Sequence, residues 1–563
     1  MSHPHSRRGP LQAAQRGLRC WGVLLLVYLS SACAALAAPP VDPLEALLRG
    51  EFALQEGRTA EAAGQYAEAA LASNDPELLE RATRLALMDD DLATAGRLLQ
   101  RWLQLDPQAA SAQQVALVIA LREVDQPSGE RALRRLVKQP DGWKLALQAL
   151  AGDSTSLLVP ALLAQLIDAD PVRASLEALL SAGGLADRLG LDGLREQVGT
   201  TAIRQHPERA RGWLWHAEVK RKKGDNPAAR QAIDRALALP DMDPSLRLAA
   251  AGMLAALGEP QAAAAALAAG EQAEATWAGR ASFLSRAEDF AGLLALYEEV
   301  QAAGGERTPD RLHLLGQLAE LLERKDEALA WYRLLPPGPR ADQAQLRIAI
   351  LADAAAQHET AIGVLRELQQ RETDDGQLLI DAYLLEAQLL QRHGRHLQAV
   401  EAYSRGLAVF EDEPALLYGR ALAHERLGQI DEAEADLRLM LVLDPENPEA
   451  LNALGYTLAD RTQRFAEAYE LIRQALEINP DNPAIIDSMG WVLFRMGRID
   501  EALPHLRRAF EMQRDAEVAA HLGEALWAAG DQDEARSIWR LGLELDANNE
   551  ALQRSLKQHG VEP

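Results

Sequence analysis

Apolar residues recur at helical spacing along the chain. Ala and Leu dominate, β-branched residues are sparse, and no alternating apolar run with hairpin punctuation occurs. The pattern predicts an all-helical protein without strands. A longer period is superimposed on the short one. The small residues Gly316, Ala349, Ala387, Ala421, Gly455, Gly490 and Gly523 follow one another at intervals of 33, 38, 34, 34, 35 and 33 residues, and Ala217 and Ala251 precede them at the same period. Such a period marks a stack of short supersecondary units, each unable to bury its apolar face alone.

The rest of the motif follows in phase. With Gly490 as position 8 of its unit, Leu493 falls at 11, Gly497 at 15, Ala502 at 20, Leu506 at 24 and Ala509 at 27. Around Ala421 the same frame holds Leu417, Gly428, Ala433 and Leu437. Around Ala387 it holds Tyr383, Leu390, Gly394, Ala399 and Tyr403. Ala535 repeats Ala433 and Ala502 in the last unit. Small residues at positions 8 and 20 let two antiparallel helices approach closely, and a glycine at 15 ends the first of them. Pro445 and Pro480, at position 32, stop the second helix.

These residues resemble the tetratricopeptide repeat, which implies a superhelical solenoid of antiparallel helix pairs. Early copies lie at 41–107, with Gly50, Gly57, Ala62, Tyr66 and Ala69 in phase and then Ala95, Leu99, Trp102 and Pro107. Between 108 and 210 the helical pattern continues while the signature fades, as degenerate repeats or as a separate small helical domain. Repeat-like units resume over 211–300. The array at 301–563 is the most regular and closes with a capping helix near Asn549 to His559.

Charge and the N-terminus change the picture next. Residues 1–37 carry Arg7, Arg8, Arg16 and Arg19 and no acid, then an apolar stretch from Val23 to Leu29, then Ala35-Leu36-Ala37. That order is expected of a secretory signal. An uncleaved anchor is the alternative, although the apolar core is short for a span of ~20 residues. Leu29-Ser30-Ser31-Ala32-Cys33 also resembles a bacterial lipobox, in which case the signal is 1–32 and Cys33 is acylated. Cys20 and Cys33 are the only cysteines, so the body has neither an internal disulfide nor a cysteine-based zinc site. The whole chain has a formal charge of -25. Loss of the four leader arginines makes it more acidic still, which disfavours nucleic acid and anionic lipid as partners. Membrane contact is then expected only through a lipid anchor, and the protein is expected in the periplasm.

Signatures of chemistry are missing. The chain has no Gly-x-Ser-x-Gly elbow, phosphate loop, dinucleotide fingerprint or His-Glu-x-x-His helix. His424-Glu425 lacks the second ligand of the last of these. His393 and His396, close together on a predicted turn, would need a converging carboxylate or third histidine to hold a metal, and they read as solvated turn residues. The run Lys220, Arg221, Lys222 and Lys223 complements the end of a helix. Neither a metal nor a cofactor is expected, and an enzyme domain hidden in 108–210 is the remaining catalytic alternative.

A binding surface is more legible. In tetratricopeptide repeats the first helix of each pair lines the concave side through positions 2, 5, 9 and 12. Over the last three units those positions hold Asn452 and Tyr456, then Asp487, Trp491 and Phe494, then Glu524 and Trp527. With only 5% aromatic residues in the chain, four on one strip would make a hot-spot surface. The segments Asn452 to Asp460, Asp487 to Leu493 and His521 to Trp527 are similar to the closing repeats of Gram-negative outer-membrane tetratricopeptide lipoproteins. That family includes adaptors for a periplasmic carboxy-terminal processing protease that degrades cell-wall hydrolases. The resemblance implies a non-catalytic protein-binding scaffold, as such an adaptor or, alternatively, as a scaffold for envelope assembly, secretion or polysaccharide export.

Overall fold

A computed structural model describes residues 42–561. The leader, with Cys20 and Cys33 and both candidate processing sites, lies outside the described residues. Among those described there are 32 helices in tandem and no strand. The chain divides into two compact units between Glu271 and Gln272.

The first unit holds 15 helices, from Pro43–Gln55 to Pro260–Ala268. Two hydrophobic clusters in it follow one another along the chain. One is built on Tyr66, Leu79, Leu98 and Trp102, the other on Leu117, Leu133, Leu162 and Leu179. The second cluster occupies the stretch where the repeat signature fades. There the helices continue, but one is cut to a single turn, Asp170–Arg173, with Pro171 as its second residue. The basic run at the end of helix Ala210–Lys222 is paired off. Lys222 reaches Asp187, Lys220 and Lys223 reach Glu196, and Arg221 reaches Glu218.

The second unit holds 17 helices, from Glu274–Arg286 to Glu550–His559. Its hairpins are cut by local chemistry. Asn447 and Asn482 cap helices Pro448–Arg461 and Pro483–Arg495 through side-chain oxygens that accept from Ala450 N–H and Ala484 N–H, and a proline follows each cap. Helix Pro483–Arg495 ends before Gly497, whose φ of +77° lies in the left-handed region. Helices Ile430–Leu443 and Phe465–Ile478 stop just short of Pro445 and Pro480.

The glycine of four of these first helices receives a large side chain from its partner helix. A Cβ at Gly316 would stand 2.3 Å from Tyr332, at Gly455 2.5 Å from Ile472, at Gly490 2.5 Å from Leu506, and at Gly523 2.0 Å from Trp539. Ala433, Ala502 and Ala535 are fully buried on the second helices. The 34-residue period is therefore a packing period: a knob sixteen or seventeen residues after each glycine fills the space its missing Cβ leaves.

Candidate functional site: a polar groove in the C-terminal unit

The first helices of the C-terminal repeats run side by side and curve until distant residues meet. The Tyr456 hydroxyl donates to Glu517 at 2.5 Å, Arg426 lies 3.9 Å from Glu550, and Arg554 lies 4.0 Å from Asp460. They enclose a groove of about 840 Å³, lined among others by Tyr418, Asn452, Tyr456, Asp487, Arg461 and Glu517.

The groove floor is a connected polar chain. Asp487, on helix Pro483–Arg495, accepts from His521 Nδ1 at 2.8 Å, and both side chains are almost fully buried. Burial alone would depress the His521 pKa, but the Asp487 carboxylate, with Glu517 and Asp460 behind it, outweighs burial and raises it. Burial, and then the charge of Glu517, pushes the Tyr456 hydroxyl well above its ordinary value, so it stays a proton donor. Two acceptors on this floor have no protein partner: the buried oxygens Asn452 Oδ1 and Asp487 Oδ1. Buried polar atoms in native proteins are nearly always satisfied. Both oxygens lie beneath the groove surface, closed to solvent, while the residues that carry them line the groove with Tyr456 and Glu517 and make its wall polar.

The expected strip of seven residues divides. Asn452, Tyr456 and Asp487 line the groove; Trp491, Phe494, Glu524 and Trp527 do not. Trp491 is 7% exposed, its ring stacked on His521 at 4.1 Å and on Phe494 at 5.3 Å. Trp527 stacks on Trp539 at 5.5 Å and lies 5.1 Å from His559, beneath Arg536. Glu524 accepts from Ser555 Oγ at 2.7 Å. The physical reason is the tightness of the stack. Trp491 at position 9 and Trp527 at position 12 meet aromatic neighbours on adjacent helices before they reach the groove, and Phe494 at position 12 stacks on Trp491, whereas Tyr456, also at position 9, reaches it. Sequence reasoning missed Tyr418 and Glu517, although they occupy positions 5 and 2 of their repeats and the same frame would have found them. Arg461 and Arg554 carried no such signal, since the curvature of the stack brings them to the groove.

The histidines also separate. His424 pairs with Gln429 at 2.8 Å. His396 lines the groove, whereas His393 turns away to Asp353.

Comparison with known proteins agrees with this architecture. Models described as tetratricopeptide repeat match residues 280–548 and 195–245. A TPR repeat-containing protein of Pseudomonas aeruginosa is 36% identical over 213 residues, which are 37% of this chain and 35% of that protein. A CTR9 homolog of Arabidopsis thaliana is 39% identical over 77 residues, 14% of this chain and 7% of the other. The chain thus spans only about a third of the length of the bacterial relative and far less of the plant one. Among solved structures, a tetratricopeptide repeat protein from Parabacteroides merdae is similar at 15% identity and a TM-score of 0.36, over 48% of this chain and 98% of that one. By its repeat period, its helix pairs and these family matches, the chain belongs to the tetratricopeptide-repeat proteins.

Proposed function

We propose that this protein is a non-catalytic scaffold of the bacterial cell envelope, an adaptor that holds a periplasmic carboxy-terminal processing protease and its cell-wall hydrolase substrates together. The observation that carries the binding role is the groove of about 840 Å³ with its polar lining of Asn452, Tyr456, Asp487 and Glu517, built from first helices as a peptide-binding repeat array requires. The likeness of the Asn452, Asp487 and His521 segments to outer-membrane adaptor repeats supports the choice of partner. Co-localising two proteins raises their effective concentration, to the millimolar range for short flexible tethers, so turnover rises without a catalytic group in the scaffold.

Reconstitution tests this reading. The purified chain, added to a periplasmic processing protease and a cell-wall hydrolase from the same cell, should accelerate hydrolase degradation. Asn452→Leu, which removes a polar group from the groove lining, should blunt the acceleration while leaving the thermal melt intact. No acceleration by the wild type would refute the adaptor role. Co-purification of secretion or polysaccharide-export machinery instead of a protease would move the protein to the assembly class.

A further inference from the structure

At the edge of the groove, beside its lining residues Arg392 and His396, three side chains converge at one turn. Asp353 lies in the last turn of helix Pro339–Ala354, His358 begins helix His358–Gln369, and His393 follows helix Gly376–Arg392 in the next repeat. The turn between the first two is tight. Gln357 N–H donates to Ala352 O at 2.9 Å, and Ala356 takes a left-handed φ of +58°. His358 Nδ1 is thereby set 2.7 Å from Asp353 Oδ1, and His393 Nε2 reaches the same oxygen at 2.8 Å. The three donor atoms lie within 4.8 Å of one another, and the imidazole centroids are 3.9 Å apart.

The turn itself does not need these residues. In later repeats the same connection closes at Gly497 and Gly530, where the positions matching Asp353 and His358 hold Phe494 and Ile499, then Trp527 and Gln532. The carboxylate and both imidazoles are a local addition to a turn that folds without them. Their environment is that of an open metal site. The Asp353 side chain is 6% exposed, while those of His358 and His393 are 40% and 30% exposed, so the carboxylate is fixed and the imidazole side faces water. Arg392 sits 3.3 Å from Asp353 Oδ2, but its side chain is 66% exposed and free to swing into solvent as a cation arrives.

The geometry points to a binding site for a divalent transition-metal ion of the zinc class, held by Asp353 Oδ1, His358 Nδ1 and His393 Nε2 with water completing the shell. Imidazole nitrogen and carboxylate oxygen bind zinc at ~2.0–2.2 Å, which spaces neighbouring tetrahedral ligands by roughly 3.3–3.5 Å. The two ring nitrogens therefore need to open by a little over half an ångström from their present contacts with Oδ1. Each ring binds the metal as a neutral imidazole with its proton on the other nitrogen, so that metal and proton compete for His358 Nδ1 and His393 Nε2. Binding releases protons and weakens in acid. Because the ligands come from two consecutive repeats, the ion ties their junction together.

Titration of the untagged, chelator-treated protein with zinc, and with cobalt as a spectroscopic probe, tests the site. One equivalent should bind, with cobalt giving the intense visible bands of a tetrahedral nitrogen and oxygen site, and saturating zinc should raise the melting temperature. His358→Gln and His393→Gln should each weaken binding by at least 10- to 100-fold, the loss typical of removing even an outer-shell partner. Asp353→Asn should do the same. His505→Gln, on helix Ile499–Met512, should bind as the wild type does. Both histidines are partly exposed, so their variants should fold, and melts in chelator check this. Absence of stoichiometric zinc binding would overturn the assignment, as would binding retained in both His358→Gln and His393→Gln.

Discussion

Gly523→Ala tests the packing period most sharply, because two effects of opposite sign meet there. In a helix interior, alanine is favoured over glycine by ~1 kcal/mol. Against this, the new Cβ would lie 2.0 Å from Trp539 Nε1 and 2.5 Å from Cδ1, where ordinary contact begins at 3.4 Å. The ring must retreat by more than an ångström, and it has nowhere easy to go. Trp539 is fully buried, flanked by Trp527 and His559 at 5.5 Å each, with its N–H aimed at Ala520 O. Overpacking of this kind costs ~1–3 kcal/mol. A clash this deep belongs at the upper end, leaving a net destabilisation of about 2 kcal/mol. Gly363→Ala is the control, since helix His358–Gln369 leaves nothing within 4 Å of the added methyl. It should stabilise by ~0.5–1 kcal/mol. Urea unfolding followed by circular dichroism reads both, and hydrogen exchange should show the Gly523 damage beginning in its own repeat and that repeat's neighbours. In a Trp539→Leu background the Gly523 penalty should largely vanish, as the cycle isolates the pair. If Gly523→Ala stabilised as Gly363→Ala does, or kept its cost without Trp539, the packing account of the period would be wrong.

Trp491→Ala should cost ~3–5 kcal/mol by melting, as expected for a large buried aromatic, and should erase near-ultraviolet dichroism from the stack with His521. Phe494→Ala and Trp527→Ala should likewise lower stability rather than partner affinity alone. Glu386 is fully buried and accepts from Arg366 at 2.7 Å, Arg405 at 2.6 Å and Gln369 at 2.8 Å. Glu386→Gln removes the charge and should cost about 2 kcal/mol in the same assay, the partly exposed arginines keeping the figure modest. The Asp487–His521 pair gives a pH dependence. Asp487, Glu517, Asp460 and the neutral Tyr456 face the imidazole, and its pKa in the folded state is raised above the ordinary 6.5. Its stabilising contribution is therefore complete below about pH 6.5 and lost as pH rises through the higher folded value. The stability gap between wild type and His521→Gln should narrow from pH 6 to pH 9, and a gap that widened would reverse the sign argued here.

What the sequence reveals and what it conceals follow from the range of the interactions involved. Gly490 and Leu506, or Gly523 and Trp539, are sixteen residues apart in one hairpin, so the period that builds the fold is written locally and can be read without coordinates. The groove depends instead on how sharply successive hairpins rotate. Tyr456 and Glu517 are 61 residues apart, and Arg426 and Glu550 twice that. No local motif records their meeting. The rotation present packs Trp491 and Trp527 between repeats and leaves the polar residues Asn452, Tyr456 and Asp487 lining the groove. The Asp353, His358 and His393 cluster shows the same limit from the other side. His393 and His396 drew notice as neighbours in sequence, yet His393 finds its partners 35 and 40 positions upstream, across the repeat junction. In a solenoid, chemistry assembled between repeats is spaced by the repeat itself. Scanning titratable residues at one period plus or minus a turn is thus the reading that would find such clusters from sequence alone.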